Sequence, residues 1–405
     1  MYLPIELVEL ILSNFTPHTR HDQVELNKSD TFALAKCALV CRAWVAPSRR
    51  ILFRNVTIVE RKAYTFERLF PSRRSRSSRD TTFYPFVREL HFRLAEGGKR
   101  WLESTFQRNI SPHLQNTVRH LWLHGQGFVS PGHKKIKPCP TGFTQVTHLR
   151  ISGVWGFSVV QMVEFIASFP MLEELTIGVS EYLRGAEGPM PSNQVPAMLR
   201  RASFKWVHSR PIFDWVRLGR PTGMEALRFH LPNEHDYTDF AASVFEYIAQ
   251  QGSSLLSLGL MINDQTRWLY DARGLDTDSP PLSMLFSAFL RSNSRLQHLF
   301  MDVSEESRYW RSSGHRSIGT LLIRNALSDN SSRLRALKIL TVRSSSVFAD
   351  VMDVLRRPPL ATHYSTRFVY TGSVTFTSWL EWRQELESNR VECIIGHWMD
   401  EDYDY

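Results

Sequence analysis

Leu3, Leu7, Leu10 and Ile11 recur at offsets 0, 4, 7 and 8, one face of a helix, and Val8 and Leu12 widen that apolar stripe. Pro4 suits the first turn of such a helix, where its missing N–H would have had no partner. A second run, Thr31 to Trp44, places Leu34, Cys37, Cys41 and Trp44 at offsets 0, 3, 7 and 10, with Val40 beside them. Pro47 is expected to stop this helix. Two helices of about a dozen residues are marginal alone in water and enclose little core, so their stripes require a covering surface.

Downstream the pattern changes period. The motif apolar-x-x-apolar-x-apolar occurs nine times, as VRELHF, VRHLWL, VTHLRI, LEELTI, LRRASF, MEALRF, LLSLGL, LQHLFM and LRALKI. Their central anchors, Leu90, Leu121, Leu149, Leu175, Ala202, Leu227, Leu258, Leu299 and Leu337, are spaced by 31, 28, 26, 27, 25, 31, 41 and 38 residues. Each motif ends in strand-like alternation, and several are followed by a helical stretch such as VVQMVEFIASF or SMLFSAFLRSN. One strand and one helix cannot cover each other's apolar faces, so consecutive units must stack their strands into a parallel sheet. The fold class expected is α/β, a helical N-terminus followed by a solenoid with a curved parallel sheet. RFVYTG reads as a last strand, SWLEWRQELES as a closing helix, and the stretch near residues 269–281 as an insertion loop.

Composition narrows the class further. The chain has 405 residues, 42% of them hydrophobic, enough for a real core. Four cysteines form no disulfide framework, and no stretch reaches the roughly 18 uncharged apolar residues of a membrane span, so the expectation is a protein of the cytoplasm or nucleus without a membrane partner. The net charge is +9, which favours acidic partners. The densest basic run, PSRRSRSSRD, reads either as a solvated loop or as a nuclear-import or nucleic-acid patch. Asp400, Glu401, Asp402 and Asp404 make the C-terminus acidic.

The order Leu3-Pro4, Glu6-Leu7, Val40-Cys41 and Trp44, followed by SRRILFRNVTI, resembles the F-box, and the repeats resemble the irregular leucine-rich repeats that follow it in fungal proteins. PHTRHDQVELNKSD is longer and more polar than the turn that family usually has. The resemblance implies an F-box over residues 1–58, a basic linker or irregular first repeat over 59–85, a leucine-rich-repeat solenoid over 86–345, and a cap with acidic tail over 346–405. It further implies a Skp-family adaptor as partner, with cullin and RING subunits of a ubiquitin ligase bound through it. The residues at adaptor-facing positions are Leu3, Pro4, Leu7, Ile11, Leu12, Val40, Cys41 and Trp44. The alternative for all of them is packing against the rest of the chain.

Period two also names the outward-facing residues. Of 27 positions before, between and after the paired inward apolar residues, six are His (His91, His120, His124, His148, His230, His298) and six are Lys or Arg (Arg93, Arg150, Arg201, Lys205, Arg228, Lys338), where the whole-chain share predicts about four basic residues. Glu89, Glu174 and Asp302 are the acids there. The reading is a cationic, His-containing concave face with Trp122 and Phe300 as aromatic anchors. It would capture an acidic or phosphorylated protein through His91, Trp122, Arg150, Arg201, Lys205, Arg228, His298 and Phe300, or be a merely solvated sheet face. His120 and His124 lie about 13 Å apart on a strand, too far for one ion, and no cysteine set is tetrahedral, so no metal or cofactor is expected.

Enzymatic chemistry finds no motif: GxSxG, HExxH, GxxxxGK[ST] and a helix-opening GxGxxG are all absent. Two rivals to a non-catalytic substrate receptor remain. One is a nucleic-acid binder, against which the aromatics argue because they follow solenoid periodicity instead of interleaving with the arginine run. The other is a repeat scaffold whose N-terminal helices bind no adaptor.

Overall fold

The computed structural model describes residues 7–8, 11–12, 28–40, 42–59, 83–93, 106, 110–125, 142–153, 158–178, 194–205, 210–219, 221, 223–231, 238–251, 254–263, 289, 293–304, 336–344, 365–370, 376–388 and 391–395. The architecture is α/β, with twelve parallel strands among these residues. Two compact units divide the chain, one mainly Met1–Leu199 with Pro211–Pro221, the other Arg200–Arg210 with Thr222–Met399. Leu3, Pro4, Cys41, the run PSRRSRSSRD, the stretch 269–281 and the acidic tail lie outside the described residues, as does the side chain of Val40.

In the first unit, residues 7, 8, 11 and 12 are helical, followed by α1 (Lys28–Val40) and α2 (Arg42–Leu52). The stop expected at Pro47 is not there: Pro47 lies inside α2. The ring forfeits one i→i−4 bond, but Pro47 and Ser48 are both buried, and tertiary packing overrides propensity. Helix α1 also begins at Lys28, inside the long polar segment PHTRHDQVELNKSD.

The strands β1 (Asn55–Val59), β2 (Glu89–Arg93), β3 (His120–His124), β4 (His148–Ser152) and β5 (Glu174–Gly178) pair in sequence order, each parallel to the next. The short helix α3 (Ser111–Leu114) precedes β3, and α4 (Val159–Ala167) precedes β5. A capping box fixes the start of α4: the Ser158 hydroxyl accepts from the Gln161 N–H, and the Gln161 side chain accepts from the Ser158 N–H. Met162, Val163, Phe165 and Ile166 then bury one face.

The second unit carries β6 (Arg201–Lys205), β7 (Ala226–Leu231), β8 (Ser257–Asn263), β9 (His298–Ser304), β10 (Ile339–Ser344), β11 (Ser365–Tyr370) and β12 (Val391–Ile395), again paired in order and parallel. Helix α5 (Arg210–Gly219) follows β6 in sequence but, from Pro211 on, belongs to the first unit; in the second, α6 (Thr238–Gln251) lies between β7 and β8, and α7 (Phe376–Ser388) between β11 and β12. Helix α7 therefore does not close the array, because a further strand pairs beyond it. Strand pairing begins at β1, upstream of residue 86, and continues past residue 345 through β11 and β12.

The core is what period two dictates. Leu90 and Phe92, Leu121 and Leu123, Leu149 and Ile151, and Leu175 and Ile177 are buried in the first unit, as are Ala202 and Phe204, Leu227 and Phe229, Leu258 and Leu260, and Leu299 and Met301 in the second. Each of these side chains except Ala202 contributes on the order of 1.5–3 kcal/mol by leaving water. Backbone bonding repeats with most of the strands: a carbonyl just before the strand, such as that of Arg88 or Arg119, accepts from two consecutive N–H groups at the start of the next.

That bonding exposes one slip of register. LRALKILTV satisfies the apolar motif twice, as 334/337/339 and as 337/340/342. Leu340 pairs with Leu299 and Val342 with Met301, and Lys338 and Ile339 both donate to the Gln297 carbonyl, so Leu340 is the central anchor and Leu337 the leading one. Lys338 thus precedes β10 and does not stand between its inward residues.

Candidate functional site

Two surfaces carry the expected binding residues. The first is the N-terminal helical module. Val8, Leu12 and Leu34 are fully buried and form its core, with Cys37, Trp44, Ile51 and Leu52 packed against them. Leu12, expected on the adaptor-facing surface, is therefore a core residue, and Trp44 is half-buried beside it. Leu7 and Ile11 point the other way, 46% and 40% exposed, one turn apart on the same helical face. Phe32 on α1 is 63% exposed, with the Lys36 ammonium 4.5 Å above its ring. Sequence reasoning passed over Phe32 because it sits outside the Leu34–Cys37 stripe; its off-stripe position was the signal.

The outward sheet face is the second surface, and strand register sorts its residues into rows. In the first unit the row nearest the strand starts is Asn55, Glu89, His120, His148 and Glu174. Glu89 faces Arg54 at 3.6 Å and His120 at 3.9 Å, the two imidazoles lie 4.2 Å apart, and His148 faces Glu174 at 3.6 Å. The middle row runs Thr57, His91, Trp122, Arg150 and Thr176. There His91 stacks on Trp122 at 4.1 Å and 17°, and the Arg150 guanidinium lies 4.9 Å from the Trp122 ring. In the third row His124 Nδ1 meets the Ser152 hydroxyl at 2.9 Å.

His91, His120 and His298 do not supply the charge expected of them. His91 is only 4% exposed, and burial, aided by Arg93 and Arg150, pushes its imidazole down to about 3. Its Nε2 is buried without a hydrogen-bond partner. Burial, with His148 and Arg54 nearby, lowers His120 to about 4, and burial with Lys338 lowers His298.

In the second unit the middle row is Ser203, Arg228, Gly259, Phe300, Thr341, Arg367 and Glu392. Arg228 crosses Gly259 to bring its guanidinium 5.2 Å from the Phe300 ring. Phe300, like His91, is buried and not the exposed anchor expected. Arg367 and Glu392 pair at 2.5 Å. Arg201, Lys205 and Arg228 cluster on β6 and β7, whereas His298 lies on β9, and Arg150 and Trp122 belong to the first unit. Across the strands these partnerships were hidden from a linear reading; aligning the repeat anchors in columns would have found them.

Among the described residues no three His, Cys, Asp or Glu side chains gather to hold one metal ion, and no helix is long and apolar enough to cross a membrane. No protein-family model matches the chain, and no curated protein matches it.

Proposed function

We propose that the protein is a non-catalytic substrate receptor: an F-box-like helical module that binds a Skp-family adaptor, joined to an irregular leucine-rich-repeat solenoid that captures a target protein. The observation carrying this reading is the division of the first helix into a sealed face, Val8 and Leu12, and an open one, Leu7 and Ile11. A helix with a complete core on one side and exposed apolar residues one turn apart on the other suits a partner groove or partner helix. Phe32 adds a third exposed apolar side chain in the same module.

Such a receptor catalyses nothing. It holds a target near an activated enzyme recruited elsewhere in the assembly, raising effective concentration without an acid, base or nucleophile of its own. The adaptor surface shifts from the sequence expectation toward Leu7 and Ile11, since Leu12 and Trp44 belong to the module's own packing.

Affinity purification of the full chain, read for adaptor and cullin, is the test. The control is the double substitution Leu7→Asp/Ile11→Asp, not deletion of residues 1–58, because Asn55–Val59 is the first strand and its loss would uncover the backbone of β2. Recovery of adaptor by the wild type alone supports the reading; recovery by neither, or equally by both, refutes it.

A further inference from the structure

We propose that Phe53 and Arg54 form a rigid joint that makes the N-terminal helices and the first strands of the sheet one body, so that a partner on Leu7 and Ile11 is held at a fixed angle to the outward face of β1–β4. This deepens the receptor reading by supplying its geometry, and rests on that reading only for the identity of the partner.

The chain leaves no room for a hinge. Helix α2 ends at Leu52 and β1 begins at Asn55, so two residues join them. Ile51 and Leu52 already pack on the module core of Val8, Leu12 and Leu34. Backbone bonding continues through the joint: the Phe53 N–H donates to the Arg49 carbonyl at 3.0 Å and the Arg54 N–H to the Ile51 carbonyl at 3.4 Å. From Arg49 to Val59 there is neither glycine nor proline. A hinge works through a few residues that absorb large φ/ψ changes, and residues bonded to structure on both sides resist such changes.

On the sheet side the joint is tied to β2 and beyond. The Arg54 carbonyl accepts from the N–H groups of both Arg88 and Glu89, at 2.9 and 3.0 Å, the same pair of bonds that the Arg88 carbonyl makes with Arg119 and His120. The helical module thus ends as the first rung of the repeat ladder. The Phe53 ring lies 5.1 Å from Phe83, Phe83 4.5 Å from Tyr84, and Tyr84 5.1 Å from His113. Tyr84 opens the short 3-10 turn Tyr84–Phe86 before β2, and His113 lies in α3 before β3, so a chain of rings couples α2 to two successive repeats. The Arg54–Glu89 ion pair, 3.6 Å apart with the arginine side chain more than half exposed, is screened by water and adds least; rings and backbone bonds hold the joint.

The use of such a joint is positional. A join with free rotation spreads a captured group over many orientations, whereas a fixed angle keeps it within reach of whatever the other surface recruits. The orientation set at Asn55 passes along the register Asn55, Glu89, His120 and His148, all within the first unit.

The test is methyl NMR of the full-length chain in a dilute aligning medium, where residual dipolar couplings report the orientation of each segment. Methyls of Val8, Leu12 and Leu34 in the module and of Leu121, Leu123, Leu149 and Ile151 in the sheet should fit a single alignment tensor in the wild type. Phe53→Gly/Arg54→Gly frees the backbone at the joint and should lower the module's couplings about twofold or more relative to the sheet's. Loss of stability alone leaves that ratio unchanged while the module stays folded, which the methyl shifts of Val8, Leu12 and Leu34 check. Should the glycine pair fail to fold, Phe83→Ala, which removes the ring partner of Phe53 from outside the joint, takes its place and should lower the ratio in the same direction. Two different tensors in the wild type, or an unchanged ratio in the variant, each overturns the proposal. Titration of the same samples with a purified Skp-family adaptor should give equal affinities, because Leu7 and Ile11 are untouched; absence of binding there refutes the receptor reading and leaves the joint standing.

Discussion

Lowering the pH from 7 to 5 should destabilise the wild-type chain more than His91→Phe, and the difference can be worked from the Trp122 stack. Unfolded, His91 titrates near 6.5; folded, its imidazole is held down to about 3. The unfolded chain therefore binds a proton that the folded one refuses, so this group's contribution is complete above pH 6.5 and is lost as pH falls toward 3. Between pH 7 and 5 the linkage amounts to about 1.4 logarithmic units, or about 2 kcal/mol. Phenylalanine keeps a ring against Trp122, removes the proton site, and removes the unpartnered buried Nε2, which should also raise stability at pH 7 by about 1 kcal/mol. His120 acts in the same direction, screened by solvent because a third of its side chain is exposed, and Glu89, raised by burial, acts in the opposite one. Both are shared by wild type and variant and cancel in the difference. Urea unfolding read by circular dichroism should show the wild-type midpoint falling by about 0.5 M more than the variant's, taking about 4 kcal/mol per M as the slope for a chain of this length. Parallel midpoints at pH 7, 6 and 5 would refute the neutral, buried imidazole.

Other perturbations have definite outcomes. Trp44→Ala should lower the stability of the helical module by about 2 kcal/mol, because Trp44 packs on Val8, Leu12 and Leu34, and hydrogen exchange in α1 and α2 should rise accordingly. Phe229→Ala, which removes a fully buried ring stacked 5.6 Å from Phe204, should cost about 3–5 kcal/mol in urea unfolding; a loss under 1 kcal/mol would contradict that packing. Leu340→Ala should destabilise by about 2–5 kcal/mol while Ile339→Ala costs far less, since Leu340 is the inward residue of β10 and Ile339 an outward one; the reverse order would restore the slipped register.

The inward face was legible because alternation is self-contained: Leu90 and Phe92 announce a strand without reference to any other segment. Where two registers satisfied the same motif, as around Leu337 and Leu340, only pairing with Leu299 decided. Strand β12 escaped because Val391 and Cys393 are its inward residues and no apolar-x-x-apolar anchor precedes them. Pro47 misled because buried packing outweighs a propensity penalty of about 3 kcal/mol. The chemistry of the outward face was legible as composition but not as environment: six histidines beside inward apolar residues read as exposed charge, whereas the stack on Trp122 buries one and the pairing with His148 desolvates another. The role of Gly259 was silent in sequence, since it depends on Arg228 and Phe300 from neighbouring strands.

The receptor reading stands or falls on what covers Leu7 and Ile11. Calorimetric titration of the full-length chain with a purified Skp-family adaptor tests it most directly. The wild type should bind, and Leu7→Asp/Ile11→Asp, which alters only exposed positions and so should keep the circular dichroism spectrum, should weaken binding at least 30-fold, about 2 kcal/mol. Absence of heat from the wild type, or equal affinity in both proteins, would contradict it.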